Sequence, residues 1–216
     1  LEAMDAKITD NFMEFIYSRL ESWLTQNDQA TIAYLTRLTD FVSSRRAGDV
    51  FSLNYDLCIE SALTAKADLK LCNGFTDAGW SPTVYNEDAD VRLFKLHGSL
   101  DWVEDESYGV CALRYPRHRD AEDIEGSHRP LLIFGTSQKL SARQPFLTLA
   151  YHFSQATLLS RVLVIVGYSF QDAYINEIFE QAFRSNTSMR IVVVGPDATA
   201  LVSRQRLLAN SPRLKC

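Results

Sequence analysis

The sequence has no C-x-x-C pair: its four cysteines, Cys58, Cys72, Cys111 and Cys216, are widely scattered. A structural zinc ribbon or a dithiol redox motif needs such pairs, so neither is indicated. No secretion signal opens the chain, and the thiols read as reduced cysteines of a cytoplasmic protein, with Cys58 as core filler on an apolar helix face. The longest uninterrupted apolar run, Val162–Val166, has the length of a strand and falls far short of the ~20 residues of a membrane span. Basic charge is not in excess. Lys and Arg number 22 against 27 Asp and Glu, a net charge of -5, so nothing points to general affinity for nucleic acid. The 9 glycines form no G-x-G-x-x-G, the usual dehydrogenase fingerprint, and no G-x-S-x-G hydrolase elbow. Repeats and low-complexity segments are also missing.

What is present is a pattern of helices and short strands. Apolar residues make up 46% and charged residues 23% of the 216, ordinary values for a folded soluble domain of this length. Residues 1–26 read as helix, with Ile8, Phe12, Phe15, Ile16, Leu20, Trp23 and Leu24 at helical spacing. A second helix over 30–46 carries Ile32, Leu35, Leu38, Phe41 and Val42 and stops at Gly48, so residues 1–47 form a helical lead-in. The pattern then predicts a strand over 50–53, a helix over 56–66, a short strand within 70–75 and a polar loop over 76–90. A strand over 92–96 precedes a hairpin within 100–115 whose turn is 105–107. Residues 117–129 are a charged loop, and Leu131-Leu132-Ile133-Phe134 reads as a buried strand. A helix over 146–159, the strand Val162–Val166, a helix over 172–183, a strand over 191–194 and a helix to about 209 complete the chain.

Short, continuous, β-branched strands alternating with helices indicate an α/β fold: one Rossmann-like parallel sheet with helices on both faces, in a single domain over 1–216. Right-handed crossovers bring the carboxyl ends of parallel strands to one edge, where the ligand crevice of such sheets lies. Polar punctuation falls at that edge: Asn54 and Asp56, His97, Gly135 with Thr136, Gly167 with Ser169, and Gly195. Each has an ordinary reading when taken singly. Asp56 is a suitable helix cap, His97 before glycine suits a turn, and Gly167-Tyr168-Ser169 suits a tight strand-to-helix connection. Asn54 is harder to dismiss, because no cap requires it.

The order of these signals says more. Asn54-Tyr55-Asp56 follows the first strand, then come Lys95-Leu96-His97-Gly98-Ser99, Leu132-Ile133-Phe134-Gly135-Thr136, and Val164-Ile165-Val166-Gly167-Tyr168-Ser169-Phe170-Gln171-Asp172. This series resembles the sirtuin-like domains of bacterial proteins, the zinc-free branch often found in anti-phage defence, over roughly residues 48–196. The resemblance implies that Asn54 lies near the nicotinamide ribose, that Asp56 belongs to the nicotinamide pocket and that His97 contacts the ribose hydroxyls. It also implies that Gly135, Thr136, Gly167, Tyr168 and Ser169 line the adenosine side of NAD, with Gly195 near the adenine.

Two departures qualify the resemblance. Sirtuin deacylases carry a four-cysteine zinc module between the histidine-glycine motif and the next core strand, whereas residues 99–130 hold only Cys111. That stretch reads as a variable insert in its place, so no zinc and no metal site is expected. The family's glycine-rich loop, of G-A-G-x-S type, is not found ahead of the first helix and is expected upstream.

The activity implied is NAD+ hydrolysis, releasing nicotinamide and ADP-ribose, with NAD as substrate rather than as a retained cofactor. The role implied is that of a regulated, NAD-depleting effector of abortive infection, cytoplasmic and homo-oligomeric. A partner ATPase (HerA-type) or a phage-derived activator is implied as trigger, with no membrane and no nucleic acid bound directly. Two other readings stay open: a non-catalytic module that binds NAD or ADP-ribose as sensor or scaffold, and an NAD-dependent deacylase, which the missing zinc module disfavours.

Overall fold

Strand β1 (Gly48–Ser52) runs parallel to β5 (Val91–Lys95), with Gly48 opposite Val91 and Ser52 opposite Lys95. The computed structural model describes residues 15, 19, 32–44, 48–66, 69–113, 129–133, 143–205, 208–209 and 211–216. Two compact units divide them, one holding the described residues up to 133 with 143–146, the other the residues from 147 onward.

In the first unit β5 is central, with β2 (Leu71–Cys72) parallel on its other side. Val91, Leu93 and Phe94 are buried, as the middle strand of a parallel sheet requires. The connection out of β1 contains α2 (Cys58–Thr64), whose Leu63 packs with Val42 and Val91. The preceding helix α1 (Thr36–Ser43) is entered at Leu35, which packs on Cys58 and Ala62. The helix expected over residues 1–26 lies almost entirely outside the described residues.

The stretch 76–90, read from the sequence as polar loop, is ordered. Strand β3 (Phe75–Thr76) pairs antiparallel with β4 (Gly79–Trp80), and a 3-10 turn spans Pro82–Asn86. Aromatic packing is the cause. Tyr85 stacks on Phe94 at 4.2 Å and donates its hydroxyl to Leu93 O at 3.1 Å, while Trp80 lies 5.4 Å from Phe75.

Strands β6 (Trp102–Asp105) and β7 (Gly109–Ala112) form the expected hairpin. Its turn is held by Asp105 Oδ1, which accepts from the backbone N–H groups of Ser107 and Tyr108 at 2.9 and 2.8 Å. The expected strand over 131–134 is a correction. Its described part makes one antiparallel bridge, Leu132 with Gly98. The N–H groups of Leu131 and Ile133 go to Trp102 O and His97 O, both at 2.8 Å, so this segment braces a turn instead of extending a sheet.

The second unit begins along α3 (Phe146–Leu159) and continues through β8 (Val162–Val166), α4 (Ala173–Ser185), β9 (Arg190–Val194), α5 (Ala198–Ser203) and β10 (Leu214–Lys215). Its sheet is parallel in the order β10-β9-β8, with Val162 opposite Arg190 and Val166 opposite Val194. Strand β10 is too short to have been read from the sequence. Helix α4 buries Ile175, Ile178, Phe179, Ala182 and Phe183 along one face at helical spacing, and is capped by Asp172, whose carboxylate accepts from Ile175 N–H at 3.0 Å.

The fold is therefore α/β and Rossmann-like, built of parallel sheets and helices. No helix among the described residues is long and apolar enough to cross a membrane.

Candidate active site

Register fixes where the first two motifs lie. Ser52 and Lys95 face each other as the last residues of β1 and β5, and Ser52 O still accepts from Leu96 N–H at 2.9 Å. Asn54 and His97 each follow two residues later. They leave the same sheet edge from neighbouring strands, which are about 4.8 Å apart in a sheet. Asn54 is exposed, and its backbone N–H turns back to Ser52 Oγ at 3.2 Å; His97 is half-buried.

Tyr55, between the two polar residues of its motif, ties the turns together. Its carbonyl accepts from Leu100 N–H at 3.1 Å, and its hydroxyl donates to Ile133 O. The N–H of that same Ile133 goes to His97 O at 2.8 Å. One residue thus bridges the Asn-Tyr-Asp turn and the His-Gly turn. The sequence showed Tyr55 as part of a motif but gave no sign of its partner, which lies 78 positions away.

Asp56 is used at the start of α2. Its Oδ1 accepts from Cys58 N–H at 3.0 Å, an Asx turn that leads the chain into the helix one residue before the cap position, Leu57. The Cys58 thiol also bonds to Asp56, and burial together with that bond pushes the thiol up to about 12. Cys58 is therefore a protonated core residue and no nucleophile. A carboxylate has about four acceptor positions, so this turn leaves Asp56 able to accept from a ligand.

Beneath the two turns lies a buried charged cluster that the sequence did not suggest. Lys95 and Glu60 are exposed by only 2% and 3%, with Nζ 3.3 Å from Oε1, and Lys95 Nζ also donates to the backbone carbonyl of Asp56. Ser99 and Asp101 are buried too. Burial pushes the Glu60 carboxyl up to about 7; Lys95 opposes this and Asp101 adds to it.

The sign for stability follows from proton counting. Above the ordinary carboxyl value of about 4.3 the unfolded chain releases this proton, while the folded chain keeps it until about pH 7. Folding is therefore favoured at the acidic end of that window and loses stability as pH rises through it. Between pH 5 and pH 8, urea unfolding of the wild type is expected to lose on the order of 2 kcal/mol more than that of Glu60→Gln. Equal losses would show that Glu60 does not hold the proton.

In the second unit the motifs also fall at one sheet edge. Gly167 N–H donates to Val194 O at 2.9 Å, so Gly167 and Gly195 follow the carboxyl ends of β8 and β9 side by side. Both are exposed, and a Cβ added at either would meet nothing within 4 Å. Ser169 is exposed. Tyr168 is committed locally: its hydroxyl bonds to Asp172 O at 3.1 Å and Asn176 Oδ1 at 2.9 Å, and burial raises its phenol. Gly135 and Thr136 lie outside the described residues. No group of three or more His, Cys, Asp and Glu among the described residues is placed to hold a metal ion.

No curated protein matches the sequence. A family model for the SIR2-like domain matches residues 49–215, the span that carries every motif above. Domains of this kind bind NAD, and the family's members are NAD-dependent enzymes. With the match reaching from β1 to β10 and the strand-end motifs in order within it, the chain belongs to the SIR2-like family.

Proposed function

We propose that this domain hydrolyses NAD+ at its nicotinamide glycosidic bond, giving nicotinamide, ADP-ribose and a proton. The observation that carries this reading is the placement of Asn54 and His97 at one edge, on adjacent parallel strands in register.

The chemistry needs little more than such a pair. The C–N bond breaks toward an oxocarbenium-like sugar, and the leaving group departs as neutral pyridine, so no acid is required to protonate it. Water supplies the new C–O bond and gives up one proton. His97 as neutral imidazole takes that proton, or shares that of a ribose hydroxyl, as positive charge grows on the anomeric carbon. Asn54 orients the water or the ribose through its amide. Asp56, through the oxygen capacity its turn leaves, holds the carboxamide of nicotinamide.

The adenosine half is assigned to Gly135, Thr136, Gly167, Ser169 and Gly195. Open glycine backbone admits a nucleotide closely. Tyr168 shapes its turn there rather than offering its phenol, since that hydroxyl is engaged with α4.

A free NAD hydrolase would drain a pool the whole cell shares. The role proposed is therefore a regulated, cytoplasmic effector of anti-phage defence, a homo-oligomer whose low basal turnover is raised by a partner ATPase or a phage-derived activator. The test is to incubate the full-length protein with NAD, with and without an acetylated peptide, and to follow nicotinamide by chromatography. Release without peptide is expected. Release only with peptide would make the protein a deacylase, and binding without release would make it a sensor module.

A further inference from the structure

Lys95 lies on β5 two residues before His97, on the same strand as the buried Val91, Leu93 and Phe94; unlike Arg92, the strand's other charged residue, it is itself buried. Taking an ammonium out of water costs several kcal/mol, and a buried ion pair often contributes nothing net beside a well-packed apolar pair. Glu60 Oε2 finds no hydrogen-bond donor among the described residues, so the pair is not a fully satisfied network. Stability alone does not account for a lysine at this position.

Its second partner does. Lys95 Nζ donates to the carbonyl of Asp56, which belongs to the turn that carries Asn54. Strand β5 thereby grips the neighbouring turn from below, while His97 continues from the same strand above. We propose that Lys95 is a positioning residue that sets the Asn54 turn against His97, with Glu60 Oε1 serving only as a second acceptor for the ammonium. The proposal rests on the NAD-cleaving reading of this edge, and misplacement of such a pair by about 1 Å is enough to cost about a hundredfold in rate.

Two variants separate the roles. Glu60→Gln keeps the ammonium and its bond to Asp56 O. Lys95→Met with Glu60→Gln removes that bond while leaving no buried charge in the pair. Both are expected to melt cooperatively. Glu60→Gln is expected to keep kcat within about threefold of wild type, whereas the double variant loses about a hundredfold in kcat with KM for NAD within about threefold. Equal rates in the two variants would overturn the proposal.

A second readout stands apart from turnover and from the folding of any variant. In the labelled wild-type protein, NMR is expected to show a through-hydrogen-bond coupling between the Lys95 ammonium nitrogen and the Asp56 carbonyl carbon. Its absence overturns the positioning role. Its presence in a protein that releases no nicotinamide keeps that bond and sinks the hydrolase reading instead.

Discussion

His97→Ala is expected to lower nicotinamide release by at least about a hundredfold, the usual loss when a positioned base or donor is removed. Asn54→Ala is expected to do the same. Neither side chain is part of the core, His97 being half-buried and Asn54 exposed. Truncation removes no large packing surface, and thermal unfolding should stay within a few degrees of wild type. The expected result is therefore loss of rate without loss of fold. The pair also makes a sharper prediction. If the two residues serve one transition state, the double variant should be little worse than either single one, because groups acting as a unit do not add. A well-folded Asn54→Ala protein with full turnover would remove the catalytic assignment.

Gly98→Ala is expected to act through the backbone. Gly98 has φ +89°, a region costly for any residue with a side chain, and a Cβ there would lie 2.0 Å from Leu131 O and 3.0 Å from Leu131 C. Both atoms are backbone, so no rotamer change relieves the clash. The strained φ alone costs about 1–3 kcal/mol and the overlap adds to it, so destabilisation by about 3 kcal/mol or more is expected in urea. Turnover should fall as well, since the residue displaced first is His97. Gly109 is the control. Its φ is +71° but a Cβ would meet nothing within 4 Å, so Gly109→Ala should show the smaller, purely conformational loss. Equal destabilisation by the two would mean that Leu131 does not press on Gly98.

The strand ends were legible because two signals coincide there. Val50-Phe51-Ser52 and Leu93-Phe94 read as strands by their apolar runs, and Asn54 and His97 interrupt those runs with residues a buried strand does not favour. The helix at 146–159 was legible to the residue, and α4 to within two residues at its carboxyl end, because their apolar stripes are long.

What escaped is non-local. Lysine is a residue of the surface by composition, and nothing beside Lys95 in sequence says that Glu60 and the Asp56 carbonyl wait beneath it. The 76–90 stretch looked polar because its order depends on Trp80 and Tyr85 finding Phe75 and Phe94 from other elements. Residues 131–133 have the composition of a strand, yet their N–H groups serve Trp102 and His97, a preference set by the turn they meet.

The bond from Tyr55 to Ile133 also bears on biosynthesis. The two turns of the proposed catalytic edge are complete only when a residue 78 positions downstream of Tyr55 has arrived to join them. A chain still emerging from the ribosome carries both Asn54 and His97 for about 2–7 s before Ile133 can dock, at translation rates of about 5–20 residues per second. During that interval the half-made polypeptide has both side chains of the proposed site but not the bond that joins their turns, so the site is completed late in synthesis.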